Sequence, residues 1–302
     1  METEYIPKPV KDCYHVFSDG TRLPILCDED RDYVVMMNLI PIVALSSGVK
    51  VLALEVMSTH FHSVLRGSAK GVEKFKREIK RLTVRHFNRD GLSDRVYNSI
   101  KIEVDAIKDE EELRRKIIYV FRNCTEAGFE FLPEDYPWGP GYAYCHKRNN
   151  NYRKVSNLTY RDACKSFRTR LQLPKDWEYD EKGMLVPSSY MDLDYLRSTV
   201  FRTPRQYIAF LNVKKKDLAD MEAADARPFL ERKSEGQLHR EAIKMSSEFF
   251  GQDIKHLSQA EKLAIATKLW TDKKTFSISQ LARHTRLNVD LLRAVLHVPA
   301  RE

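Results

Sequence analysis

Residues 51–66, Val-Leu-Ala-Leu-Glu-Val-Met-Ser-Thr-His-Phe-His-Ser-Val-Leu-Arg, restrict the fold more than any other stretch, because two histidines flank one apolar residue inside a β-like run. On an extended strand the side chains at i and i+2 leave from the same face, so His60 and His62 point the same way while Phe61 faces a core. The run is expected to be a strand, or two strands bent near Ser58-Thr59. Neutral imidazoles suit divalent metals, but two ligands seldom suffice, so a metal reading demands a third donor and a reacting group elsewhere in the chain. Taken alone, the motif is equally well a pair of surface or hydrogen-bonded histidines.

The elements around this run suggest an α+β fold. Cys13-Tyr-His-Val-Phe-Ser followed by Asp19-Gly20 reads as a strand and a turn. A helix is expected from Tyr33 to Ser46, with acidic residues before it and Gly48 just past its end. After Gly71, a second helix places Val72, Phe75, Ile79 and Leu82 on one side and Lys74, Lys76, Arg77, Lys80, Arg81 and Arg85 on the others. Such a basic face is either solvated or tracks phosphates. Arg95 to Val104 alternates enough to be another strand. Strand, helix, strands, helix, strand is the order of an antiparallel sheet covered by helices.

The next helix is signposted by Asp109 and Glu112 at its start and Gly128 at its stop. At 100° per residue, Leu113, Ile117, Val120, Phe121 and Cys124 share one stripe, whereas Tyr119 and Asn123 project together on the opposite side with Lys116 beside them. The usual role of a helix tyrosine is packing, and this stripe is complete without Tyr119. A hydroxyl nucleophile and an amide oxygen ligand on one helix face would complete the two-histidine clamp.

Turn-rich Leu132 to Gly141 and polar Tyr142 to Tyr160 mark the expected domain boundary. The sequence therefore divides into residues 1–145, a basic and partly helical linker region at 146–230, and a helical domain at 231–302. Within the linker, Asp162 to Arg170 reads as a short basic helix and Thr203-Pro204 opens another. Ser258-Gln-Ala-Glu261 is a capping box. From Ser277 to Leu296 the apolar positions suit a short helix, a turn near Arg286 to Asn288, and a second helix. That is helix-turn-helix spacing, with Arg283, Asn288, Asp290, Arg293 and His297 expected to face outward, although ordinary helical hairpins share it.

Composition narrows the class of partner. Lys+Arg 51 against Asp+Glu 43 gives a net charge of +8, which favours a polyanion. No run of eighteen apolar residues and no signal peptide is evident, so a cytoplasmic protein without a membrane partner is expected. The five cysteines form no C-x-x-C pair, and the odd count argues against a disulfide framework or a cysteine-ligated zinc site.

With His60-Phe61-His62 on a strand and Tyr119-x-x-x-Asn123 on a later helix, the chain resembles the single-tyrosine transposases of the IS200-like group, which carry the His-hydrophobe-His (HUH) nuclease signature. Its similarity is to the REP-associated tyrosine transposase branch. Arg85-His-Phe-Asn-Arg, the helix from Ile117 to Gly128 and Pro133-Glu-Asp-Tyr-Pro-Trp138 match that layout, over roughly residues 10 to 145. The sequence departs from the family where Met57-Ser-Thr stands in place of Met-Pro-Asn, and where Cys124 replaces the proline after Asn123.

The resemblance implies a ferredoxin-like antiparallel sheet with helices, followed here by an all-helical C-terminal region. It further implies Tyr119 as nucleophile, His60, His62 and Asn123 as ligands of Mg²⁺ or Mn²⁺, and DNA transposition through a 5′-phosphotyrosine intermediate. The substrate would be single-stranded or hairpin DNA, with Lys74, Arg77, Lys80, Arg81 and Arg85 as contacts and Arg283 and Arg293 as further ones. Lys116 is a candidate helper, a homodimer a candidate assembly, and the nucleoid the expected location. Two competing readings stand beside it: a domesticated DNA-binding or regulatory protein without transposition activity, and a small metal-dependent hydrolase, which would not need Tyr119 off the core stripe.

Overall fold

The computed structural model describes residues 9–18, 26–27, 29–87, 100–127, 133–144, 151–211, 235–272 and 278–297. Cys13–Ser18 forms β1, Asp30–Ser47 α1, Lys50–Val56 β2, Phe61–Arg66 β3, Ala69–Phe87 α2, Ile102–Ala106 β4 and Glu110–Glu126 α3. The four strands lie in the order β2-β3-β1-β4 and every neighbouring pair is antiparallel. With α1 joining β1 to β2 and α2 joining β3 to β4, this is the expected ferredoxin-like arrangement. The expected bend near Ser58-Thr59 is the tip of the β2-β3 hairpin, where Met57 N–H donates to His60 O at 2.7 Å. β4 runs from Ile102, whereas residues 88–99, including most of the strand expected from Arg95, lie outside the described residues.

Local signals account for the helix ends. Gly48 adopts φ 71°, the left-handed conformation that stops α1. At the start of α3, Asp109 Oδ1 accepts the Glu112 N–H and Glu112 Oε2 accepts the Lys108 N–H, both at 2.8 Å. A side-chain cap of this kind is typically worth about 1 kcal/mol.

Strand alternation divides the sheet into two faces. Val16, Leu54, Phe61 and Leu65 point to one, and His15, Glu55, His62 and Val64 to the other. The first face is covered by α1 and α2, which pack on each other and join where Thr83 Oγ1 meets Met36 Sδ at 3.8 Å. Met36, Phe61, Phe75 and Ile79 are fully buried there. Each such side chain contributes about 1.5–3 kcal/mol relative to exposure. The second face, with the histidines, lies under α3.

The described part of the 146–230 stretch is not an open connector. It holds α4 (Tyr160–Ser166), α5 (Leu193–Thr199) and α6 (Pro204–Leu211), and it packs into the same compact unit as the sheet. Asn38 of α1 donates to Gly183 O at 2.8 Å and accepts the Leu185 N–H at 2.7 Å. Asp192 N–H donates to Val51 O at 2.9 Å, and Arg66 pairs with Asp192 at 2.6 Å while its guanidinium sits 4.4 Å from the Tyr195 ring centre.

A second compact unit comprises α7 (Glu235–Phe250), α8 (Gln259–Asp272), α9 (Ile278–Thr285) and α10 (Val289–Val295). Leu238, Ala242, Ile265, Leu269, Leu281 and Leu292 form its core. Arg286 turns the chain between α9 and α10 at φ 55°, and Asn288 Oδ1 caps α10 by accepting from Asp290 and Leu291 N–H. The helix, turn and helix thus fall where the sequence put them. Arg283 does not face outward as expected: it is 8% exposed. The reason is that α9 packs against α7, α8 and α10 together, so no broad side of it remains for solvent. Arg293 stays half-buried at the surface, 3.7 Å from Asp290. No helix among the described residues is long and apolar enough to cross a membrane.

Candidate active site

Side chains from β1, β3, the β2-β3 tip and α3 converge on the second face of the sheet. The His60 and His62 rings are 5.0 Å apart, edge to face. Tyr119 reaches down from α3 with its ring 5.2 Å from His62 and 5.9 Å from His15, again edge to face. One turn later on α3, Asn123 Nδ2 donates to His60 Nε2 at 3.2 Å. Residues far apart in sequence therefore meet at one point, with Tyr119 37% exposed and Asn123 buried. Lys116, one turn before Tyr119, lies 4.0 Å from Asp105 Oδ2, and its charge reaches His15 and His62.

The hydrogen bonds narrow which nitrogen of each imidazole carries a lone pair. As Asn123 donates to His60 Nε2, the His60 proton sits on Nδ1, from which it donates to Thr59 Oγ1 at 2.9 Å. Thr59 thus orients the first histidine. His62 Nδ1 lies 3.2 Å from His15 Nε2 in the buried layer beneath. When His62 donates across this contact, its Nε2 keeps a lone pair and His15 carries its proton on Nδ1, 3.9 Å from Asp105 Oδ2. Burial, helped by the charges of His60, His15 and Lys116, holds His62 well below the usual imidazole range, and burial with Lys116 pushes His15 down to about 3. Both rings are therefore neutral at physiological pH, the state in which imidazole binds metals.

His15 is a site residue that the sequence reading did not pick out. The signal was present as a polar side chain in the strand Cys-Tyr-His-Val-Phe. Its neighbour is fixed only by the β1-β3 register, in which Phe17 faces His62 and His15 faces Val64, leaving His15 diagonal to His62. Phe17 completes the layer by stacking on His15 at 4.7 Å.

The helix that presents Tyr119 is tied down from behind. Glu55, opposite His62 on β2, is fully buried and its Oε1 accepts the Cys124 N–H at 2.6 Å. Burial holds its carboxyl well above the usual carboxylate range despite the hydrogen bonds from Cys124. Its other oxygen comes so close to Gly139 that a Cβ there would stand 3.0 Å from it. Further along, Phe121 packs edge to face on Tyr144 and Tyr207, which stack on each other at 4.8 Å.

Two imidazole nitrogens and, with its amide turned over, the Asn123 oxygen make a donor set that fits a divalent cation with positions left for phosphate oxygens or water. Among the described residues no group of three or more His, Cys, Asp or Glu is arranged to hold a metal ion. Cation binding here would therefore depend on the neutral amide and on oxygens from outside the protein, which implies modest affinity.

The basic residues of α2 do not join this cluster. Lys74, Arg77, Lys80, Arg81 and Arg85 stand on a helix that covers the opposite face of the sheet. Of the two other tyrosines that could stand in as nucleophile if Tyr119 does not act, Tyr142 is buried and Tyr97 lies outside the described residues.

No family model matches the sequence, and no curated protein matches it. Among solved structures the chain is similar to one described as a REP-associated tyrosine transposase bound to a REP hairpin, at 16% identity and a TM-score of 0.32, over 47% of this chain and 84% of that one.

Proposed function

We propose that this protein is a metal-assisted tyrosine transposase that cleaves and rejoins single-stranded or hairpin DNA. The observation that carries the reading is the convergence of Tyr119 and Asn123, from one face of α3, on the His60-His62 pair. Tyr119 stands over the histidines rather than in the apolar stripe of α3, which is fully buried without it.

Tyr119 Oη attacks the scissile phosphorus, forming the tyrosyl O–P bond as the P–O3′ bond breaks. The phenol gives up its proton and the departing 3′ oxygen takes one, leaving a 5′-phosphotyrosine and a free 3′-hydroxyl. The ester keeps the energy of the broken bond, so the 3′-hydroxyl of another strand can reverse the step and join DNA without ATP. Mg²⁺ or Mn²⁺ held by His60, His62 and Asn123 would place positive charge beside a non-bridging phosphate oxygen. Lys116 adds a second cation on the same helix, which favours both phosphate binding and the phenolate. In the second unit, of the two arginines the sequence proposes as contacts, Arg293 is the one at the surface of the helix-turn-helix for a phosphate or base contact, Arg283 being buried.

Incubation with end-labelled hairpin DNA and Mn²⁺ tests this directly. The expected product is a protein-DNA adduct that survives denaturant and disappears on omission of metal. Cleavage without an adduct would instead favour a metal-dependent hydrolase, and binding without cleavage a regulatory protein.

His15 enters the same scheme by holding His62 in the tautomer that offers Nε2. His15→Ala should weaken Mn²⁺ binding about tenfold or more, as loss of the partner behind a ligating histidine typically does. His15→Gln, whose amide oxygen can accept the same proton, should recover part of that. Calorimetric titration of both variants checks it, and equal affinity in wild type and His15→Ala would remove His15 from the scheme.

A further inference from the structure

On the side of the first unit away from Tyr119, a groove of about 770 Å³ runs between α2 and the segment from α4 to Leu171. Arg81 and Arg85 line it from α2, and Arg161, Lys165, Arg168 and Arg170 line it from the facing segment. Glu78 is the one acidic lining residue, and it pairs with Arg81 at 2.8 Å. Five further cations remain in a space a few side chains wide, close enough to add their fields within one Debye length.

The groove is shaped by specific contacts. Phe167 is buried at its floor and pins the facing segment to the helices. Arg168 adopts φ 52°, a conformation uncommon for a non-glycine residue, and donates from Nη1 to His86 Nδ1 at 2.9 Å. His86 in turn lies 3.8 Å from Asp32. Tyr160 Oη donates to Arg170 O at 2.8 Å and closes the segment on itself. Arg161, Lys165 and Arg170 nonetheless remain exposed.

We infer that this groove is a second nucleic-acid site, which holds the phosphodiester backbone of duplex DNA apart from the strand presented to Tyr119. Three observations select that ligand. The cations come from both walls, as needed to follow a chain of phosphates, and most are arginines, whose planar fork fits phosphate oxygens. Among the described residues the one aromatic ring lining the groove, Phe167, is buried, and the exposed Tyr160 beside it is held by its hydroxyl to Arg170 O, so the groove walls offer no stacking platform for unpaired bases and suit sequence-indifferent backbone contact. It lies across the sheet and a helix layer from Tyr119, a separation of roughly 20 Å at ordinary layer spacings, so one nucleotide cannot occupy both places. Four of the six cations belong to residues 161–170, beyond the stretch that carries the resemblance to single-tyrosine transposases, so the site is this chain's own. Its charge argument does not depend on the tyrosine chemistry.

The test is fluorescence anisotropy with a short labelled duplex, without metal, for the full chain and the triple variant Arg161→Glu, Lys165→Glu, Arg170→Glu. Arg168 is left in place because it contacts His86. A control variant, Lys50→Glu, Lys101→Glu, Lys108→Glu, makes the same change in net charge at exposed positions of the same unit that do not line the groove. The groove variant should lose about tenfold or more in affinity, and its plot of log affinity against log salt should flatten by about two to three contacts. The control should lose much less. Equal losses in the two variants, or no duplex binding by the wild type, would overturn the inference. Adduct formation on a short single strand is measured in parallel. A wild type that forms no adduct while the groove variant loses duplex binding keeps the groove and rejects the role given to Tyr119.

Discussion

Tyr119→Phe is expected to abolish strand cleavage and the covalent adduct, by at least about a thousandfold, because it removes the one oxygen that would bond to phosphorus. Binding of single-stranded DNA should change little. The ring keeps its edge contacts with His62 and His15, and the position is partly exposed, so the substitution opens no cavity. Gel analysis of labelled hairpin DNA after denaturation reads the adduct, and anisotropy on the same variant reads binding. An adduct formed at the wild-type rate would reject Tyr119 as nucleophile. Tyr97 would then be the next tyrosine to replace, since Tyr142 is buried and out of reach of a phosphate.

The helix that carries Tyr119 was legible because its pattern has one period and one buried face. Leu113, Ile117, Val120, Phe121 and Cys124 are all fully buried, as a 100° step requires. The sheet was legible for the same reason: alternation put Phe61 in the core and His62 on the opposite face. What the sequence did not yield depends on neighbours far along the chain. Glu55 sits in an apolar run, and which face it takes is set after a register shift between Val51 and Ala53. His15 acquires its role from a diagonal contact with a strand forty-seven positions away. Arg283 was misread because an amphipathic reading assumes that one face of a helix is buried, whereas α9 has neighbours on three sides. The basic face of α2 was recognised, but composition could not tell that it turns away from the histidines and toward residues 161–170.

The second large effect concerns the histidine pair. His60→Ala together with His62→Ala should bring metal-dependent cleavage below detection and remove measurable Mn²⁺ binding in calorimetry, because, of the three donors, only the neutral amide of Asn123, the weakest, is left. The two positions differ in what they do to the fold. His60 lies half-buried at the hairpin tip, so its removal lets water reach its partners, Thr59 and Asn123. His62 is 6% exposed, and its loss leaves His15 Nε2 buried without a partner, at a cost of about 1–3 kcal/mol. Thermal unfolding must therefore accompany the titration, which is read well below the variant's own melting temperature. Asn123→Ala should be milder, about tenfold in affinity, since a neutral amide is the weakest of the three donors and water can take its place while Thr59 still orients His60. If the folded double variant bound Mn²⁺ as tightly as wild type, the metal would lie elsewhere, and the convergence of His60, His62 and Asn123 would be a hydrogen-bonded cluster and nothing more.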